Sequence, residues 1–277
     1  MKTRIITSIL ALFIFIPLIL TTGITNGYSL VLMCQAMSVI ASIEILKVTG
    51  FLKSFYISVP ALAISFVFPL IGKLYPDRFI YFSGLVFFIF GFYLLSFSVF
   101  KHKHKVDDYA ILFIMLFYII VSSSCIVILY GLEFGEYLYL LCFLCAWISD
   151  SAAYFTGRAF GKHKLCPEIS PKKTVEGAIG GFVFCVAFVI GYALIIGELF
   201  DVKTRMLYII IASAFMSLVS MLGDLIASQV KRRYGIKDYG RLFPGHGGVV
   251  DRFDSVFAIA PTLYILYSSI EGFSFFV

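Results

Sequence analysis

Asp224 sits in the stretch Met221-Leu222-Gly223-Asp224-Leu225, within an apolar run long enough to cross a bilayer. A carboxylate at the centre of a spanning helix costs on the order of 2.5–3.5 kcal/mol by insertion scales, which makes it a candidate for chemistry. At helical spacing Ser228, Lys231 and Arg232 follow at i+4, i+7 and i+8. One helix face would therefore carry an acid at depth and bases at the membrane surface. An intramembrane ion pair with snorkelling basic anchors is the bland reading of the same pattern.

Lys237, Asp238 and Gly240 come next, then Pro244-Gly245-His246-Gly247-Gly248. One Pro and three Gly in five residues cannot continue a helix. Such a turn lets the backbone approach a ligand closely and offers N–H groups to an anion. His246 stands in its middle, either as an acid–base group or as an ordinary hydrogen-bonded loop histidine. The chain then returns to apolar sequence through Asp251, Arg252 and Asp254. Asp251 and Asp254 are three apart, hence on one face of a starting helix, where acids are also common as caps. Asp224 and Asp251 suit Mg²⁺, which takes one or two carboxylates and completes its shell with substrate phosphate oxygens. Lys237, His246 and Arg252 join them as candidate catalytic residues. Gly247 and Gly248, with Ser228, Lys231 and Arg232, are candidates for holding substrate.

A second polar segment begins at Asp150 and runs through Arg158 and Lys162 to Ser170-Pro171-Lys172-Lys173-Thr174. Lys172, Lys173 and Thr174 form a basic, hydroxyl-bearing turn suited to phosphates. Lys173-Thr174 looks like the end of a P-loop, but the Gly-x4-Gly frame is missing, so no such nucleotide loop is present. Asp150 is expected to close its apolar stretch. It is held, with Asp238 and Asp254, as a further acidic candidate. Glu44, inside an early apolar stretch, either pairs with a buried base or faces a cavity.

These residues need a membrane scaffold. The 277 residues are 61% hydrophobic and 14% charged, with 31 Phe and 17 Tyr. Soluble domains carry about 45–50% apolar and about 25% charged residues, so a soluble fold and a disordered chain are both excluded. Six scattered Cys do not make a disulfide framework, and Cys142-x-x-Cys145 lies in apolar sequence. Nine apolar stretches predict an all-α polytopic protein: 5–22, 28–46, 55–72, 79–100, 109–130, 137–154, 179–199, 206–230 and 253–272. With nine spans, 18 of the 22 Lys and Arg fall in loops on the N-terminal side. Only Lys73, Arg78, Lys203 and Arg205 fall opposite, which predicts a cytoplasmic N-terminus. The first stretch reads as a retained helix rather than a cleaved signal, because Thr21-Thr22-Gly23 is not a small-x-small cleavage site. One integral-membrane domain is expected, with N-terminal spans in 1–135 and a catalytic half in 136–277. The two long cytoplasmic loops of that half, 155–178 and 231–252, carry most of the candidates. The net charge of +6 then reflects topology and phosphate binding, and nucleic acid is not needed to explain it.

Residues 228–254 resemble the C-terminal signature of the phosphatidate cytidylyltransferases, also called CDP-diacylglycerol synthases. The resemblance rests on Ser228, Lys231-Arg232, Lys237-Asp238, Gly240, Pro244, His246-Gly247-Gly248, Asp251-Arg252 and Asp254. The stretch 150–177 is similar to a second region of that family. The resemblance implies transfer of a cytidylyl group from CTP to phosphatidate, with Mg²⁺ as one or two ions held by Asp224 and Asp251. Together with the charge pattern, a multi-pass cell-membrane protein with its site on the cytoplasmic side is expected, and a homodimer is compatible with it. Many family members carry Glu where this chain has Ala227, so a third carboxylate at that position has no part here. The alternatives are a related CTP-dependent transferase, acting on polyprenol or an ether lipid, and a transporter whose intramembrane acids line an ion path. Transporters often show internal repeats and paired broken helices, and neither is visible in this sequence.

Overall fold

The computed structural model describes residues 17–100, 104–245, 247–270 and 273–276. Eight long helices make up most of it: α1 (Tyr28–Val48), α2 (Phe55–Leu74), α3 (Phe79–Phe100), α4 (Val106–Tyr130), α5 (Gly135–Phe160), α6 (Val175–Phe200), α7 (Met206–Arg233) and α8 (Val250–Ser269). Two short strands, β1 (Lys164–Cys166) and β2 (Ser170–Thr174), pair antiparallel between α5 and α6. In hydrocarbon every backbone polar group must be satisfied internally, so apolar runs of this length fold as helices.

This is an all-α, multi-pass membrane protein. Seven helices among the described residues are long and apolar enough to cross a bilayer, α1 to α7, the third including the 3₁₀ turn Pro76–Arg78. The predicted first span lies largely outside the described residues, as do Lys101 and Lys103 of the charge pattern. Helix α8 is not among the seven; it bears Asp251, Arg252 and Asp254 in its first five residues.

The chain forms two compact units. The first comprises residues up to Gly131 together with Tyr234–Arg252, the second Leu132–Arg233 and Phe253–Val277. The glycine-rich loop after α7 thus belongs to the first unit, although sequence order alone groups it with the later helices.

In the first unit, α1, α2 and α4 pack on one another, with Leu30, Cys34, Ala41, Leu112 and Leu116 fully buried. Several polar groups inside this layer are paired: Ser42 Oγ lies 2.8 Å from Ser65 Oγ, and Gln35 Nε2 donates to the Phe66 carbonyl at 2.8 Å. The Tyr234 hydroxyl donates to Asp108 Oδ1 at 2.9 Å, which ties the start of the glycine-rich loop to the start of α4.

In the second unit, α5 and α6 are in the closest contact. The reason is a ladder of small residues. A Cβ at Gly181 would lie 2.9 Å from the Ser149 carbonyl oxygen, and one at Gly177 would lie 2.7 Å from the Ala153 carbonyl oxygen. Gly157 Cα in turn faces Gly177, and Cys185 Sγ lies 3.9 Å from the Cys145 carbonyl oxygen. The positions 145, 149, 153 and 157 thus meet 185, 181 and 177 at four-residue spacing, the small-xxx-small arrangement that brings membrane helices together. The far end of this unit is closed by the C-terminal segment, where Phe275 and Phe276 are buried and the Arg205 N–H donates to the Phe275 carbonyl at 2.9 Å.

Replacing Gly181 with Leu should cost about 1–3 kcal/mol through overpacking against Ser149 and Ala153. Gly191→Ala, at a position with open space around it, should be neutral. Thermal unfolding of the two variants in one detergent checks this.

Candidate functional site

Two groups of predicted site residues exist in the structure, one in each unit. In the second unit they gather around Asp224 on α7. Lys173 Nζ lies 2.6 Å from Asp224 Oδ2, with side chains 24% and 26% exposed, so the pair is reachable from outside the helix packing. Ser228, one turn later on the same helix, donates its hydroxyl to Asp224 Oδ1 at 3.2 Å. The i+4 spacing seen in the sequence therefore serves to orient the acid. Asp254 on α8 is 6% exposed, and the Ser255 N–H donates to its Oδ1 at 2.8 Å. Its charged neighbours are Asp224, Asp150 and Lys231. The Ser255 hydroxyl reaches Asp150 Oδ2 at 3.4 Å and the Ser220 carbonyl at 3.3 Å. One buried and two more accessible carboxylates thus share a neighbourhood with Lys173 and Lys231.

The segment that carries Lys173 differs from its expected form. Helix α5 does not end near Tyr154 but continues to Phe160, which places Asp150 inside a helix. The basic turn 170–174 is the strand β2, paired with β1 from Lys164↔Thr174 to Cys166↔Ser170. This hairpin is fixed at both ends. The Arg232 Nε–H donates to the Ile169 carbonyl at 3.0 Å, holding the turn against the end of α7. Glu176 accepts the N–H groups of Lys162 and His163 at 3.1 and 3.2 Å and pairs with His163 Nδ1 at 2.7 Å. Thr174 is only 8% exposed, and its Oγ1 accepts the Gly177 N–H at 3.1 Å as the N-cap of α6. Thr174 therefore shapes the strand-to-helix junction, Lys173 turns toward Asp224, and Lys172 is exposed.

In the first unit the loop after α7 folds on the carboxylate of Asp251. Its Oδ2 accepts the N–H groups of Tyr239 at 2.7 Å and Gly248 at 2.9 Å. Phe243 and Gly247 exchange both backbone hydrogen bonds, at 2.9 and 3.1 Å, closing a tight turn. Gly245 and Gly247 adopt φ of +82° and +92°, conformations that glycine takes without a Cβ penalty. His246, between them, lies outside the described residues. Lys237, Asp238 and Arg252 are exposed along this loop, whereas Gly247 and Gly248 are buried.

Glu44 is the residue whose place could not be chosen from sequence. Its two oxygens accept the N–H groups of Val249 and Val250, each at 2.9 Å, at the start of α8. It binds backbone donors, a partner that neither alternative had named. The one signal in the sequence was the cost of an acid in an apolar helix.

Such an arrangement can neutralise and orient phosphate groups through Lys173, Lys172 and Lys231, and its hard carboxylate oxygens suit a hard cation. The Cytidylyltransferase family model matches residues 2–270, nearly the whole chain. The chain belongs to the cytidylyltransferase family. Among its relatives, the phosphatidate cytidylyltransferase of Staphylococcus epidermidis is 35% identical over 275 residues, covering 96% of this chain and 98% of that protein. The phosphatidate cytidylyltransferase of Staphylococcus saprophyticus is 35% identical over 271 residues with the same coverage. That of Staphylococcus aureus is 35% identical over 273 residues, again covering 96% and 98%. The family match therefore extends over both units and includes every residue of the two groups described above.

If Thr174 acts as a cap, Thr174→Ser should preserve stability. Thr174→Val should cost about 1 kcal/mol, as cap removal generally does. Thermal unfolding without substrate separates this capping role from a substrate contact, whose loss would leave the substrate-free protein as stable as before.

Proposed function

We propose that the chain transfers the cytidylyl group of CTP to phosphatidate, forming CDP-diacylglycerol and pyrophosphate. The observation that carries the proposal is family membership over nearly the full length, combined with a Lys–carboxylate pair, Lys173–Asp224, in the C-terminal half of a membrane helix. An oxygen of the lipid phosphate forms a bond to the α-phosphorus of CTP. The bond from that phosphorus to the oxygen bridging the β-phosphate breaks, and pyrophosphate leaves with its electron pair. Most of the catalysis in phosphoryl chemistry of this kind is positioning and charge stabilisation.

Lys173 is held in reach of phosphate oxygens beside Asp224 by the hairpin, while Arg232 keeps the hairpin turn in place. Lys231 and Lys172 add positive charge to the same end of the second unit. Ser228 keeps Asp224 oriented. Transferases that use CTP generally require a divalent cation, and Mg²⁺ is the ion proposed here. Among the described residues no group of three His, Cys, Asp or Glu side chains is arranged to hold a metal ion. The fit does not need one, because Mg²⁺ commonly takes one or two carboxylates and several phosphate oxygens or waters. Asp224 meets that description. It is partly exposed, offers hard oxygen donors and already attracts a cation in the ammonium group of Lys173. Asp254 and Asp150 lie beside it as further carboxyl groups. When bound, the ion would neutralise charge developing on the transferring phosphoryl group. Asp251 is proposed as the second metal-binding acid on the strength of the family resemblance, and its hold on Tyr239 and Gly248 shows how its carboxylate is oriented. The excess of Lys and Arg in the loops that bear these residues supports a site on the cytoplasmic face, where CTP is present.

Asp224→Asn and Asp251→Asn should each reduce formation of CDP-diacylglycerol by at least about 100-fold in purified, folded protein, as the loss of a transition-state charge contact does. Product formation near the unmodified rate in either variant would remove that residue from the reaction. A panel of phosphatidate, polyprenol and ether-linked lipid phosphate, offered with CTP, should give product fastest with phosphatidate. A preference for polyprenol would assign the chain to lipid phosphorylation instead.

A further inference from the structure

Glu44 is 6% exposed within α1, and nothing in the proposed chemistry uses it directly. It nevertheless controls the first turn of α8. The first N–H groups of a helix have no partner within the helix. Here those of Val249 and Val250 are taken by the two oxygens of Glu44, each at 2.9 Å. The next N–H upstream, that of Gly248, is taken by Asp251 Oδ2 at 2.9 Å. Two carboxylates therefore divide three consecutive backbone donors between them, and Asp251 is held in place by the turn that Glu44 anchors. Charge-assisted bonds of this kind are about twice as strong as neutral ones.

Space reinforces the bonding. A Cβ at Gly240 or at Gly248 would collide with the Glu44 carboxylate, and Gly248 Cα lies 3.1 Å from where a Cβ on Gly240 would stand. Both glycines have negative φ or an ordinary one, so it is the approach of Glu44 that excludes a side chain there. The carboxylate is thus wedged between two glycines and bonded to the residues that follow the second.

We propose that Glu44 is a positioning residue for the reaction, which sets the placement of Asp251 through the Gly248–Val250 backbone and requires glycine at 240 and 248. The proposal rests on the reading of Asp251 as a residue of the reaction. In Glu44→Gln the amide keeps one acceptor and turns its NH₂ group toward a backbone N–H, so the turn loses one anchor. A displacement of about 1 Å at a positioned group costs up to about 100-fold in rate. Glu44→Gln should therefore lower kcat about 10- to 100-fold while KM for CTP changes less than about three-fold. Glu44→Asp should recover part of that rate, because the charge is kept. In substrate-free protein, hydrogen exchange of the 248–252 amides should accelerate in Glu44→Gln, with α2 unchanged.

A kcat within two-fold of the unmodified protein in Glu44→Gln, beside an inactive Asp251→Asn, would overturn the positioning role and leave Asp251 in place. An active Asp251→Asn would overturn the reading of Asp251 itself. Should Glu44→Gln not fold, the glycine contact decides. Gly248→Ala should lose activity, and Glu44→Asp combined with Gly248→Ala should be more active than Gly248→Ala alone, because the shorter acid withdraws from the added methyl group. Losses that simply multiply in the double variant would contradict the proposal.

Discussion

A carboxylate inside a membrane helix must be matched by donors or a cation, and the arrangement of this protein follows from how each acid meets that demand. Desolvation of an unpaired charge costs several kcal/mol or more. Glu44 meets it with two backbone N–H groups and Asp224 with the Lys173 ammonium and the Ser228 hydroxyl, while Asp251, in the first turn of α8, takes the N–H groups of Tyr239 and Gly248. Each solution ties a loop or hairpin to a helix. The polar groups that look exceptional in so apolar a chain are therefore also what gives its non-helical segments their shape.

The helices supply the rigid counterpart. Close approach of α5 and α6 through Ser149, Ala153, Gly157, Gly177 and Gly181 brings the ends of both helices together. The connection between them must then double back as the β1–β2 hairpin. Thr174 caps α6 at the foot of that hairpin, and the neighbouring residue, Lys173, is left facing Asp224. A strand side chain alternates in direction along the chain, so Thr174 turned inward places Lys173 on the other side. Packing of small residues between α5 and α6 is thus linked, through one cap and one strand, to the placement of the Lys173 charge beside Asp224.

Much of this was legible in the sequence. The spans 28–46, 79–100 and 206–230 match α1, α3 and α7 to within a few residues, because long apolar runs between charges leave few alternatives. The charge ladder Asp224, Ser228, Lys231 was visible at helical spacing, and its first two members do bond. The hairpin was not legible. Lys164-Leu165-Cys166 is too short to show alternation, and Pro171 with two lysines reads as a turn. Its formation depends on Glu176, Arg232 and the α5–α6 contact, none of which local sequence reveals. The extension of α5 past Tyr154 was missed because the polar residues there look like a loop, although they continue a helix beyond the apolar stretch. Glu44 announced itself only by its cost. Its partners lie about two hundred residues away and are backbone groups, which leave no trace in side-chain identity. Family resemblance pointed to Asp224 and Asp251 and was silent on the acid that holds the second one's turn.

The central claim is that this chain moves the cytidylyl group, and not a terminal phosphate, from CTP onto a lipid phosphate. The most direct test uses purified protein in phosphatidate-containing micelles with CTP labelled either at the α- or at the γ-phosphorus. The α-label should enter the lipid product and the γ-label should appear in pyrophosphate. Lipid carrying the γ-label, or neither label in lipid, would contradict the account.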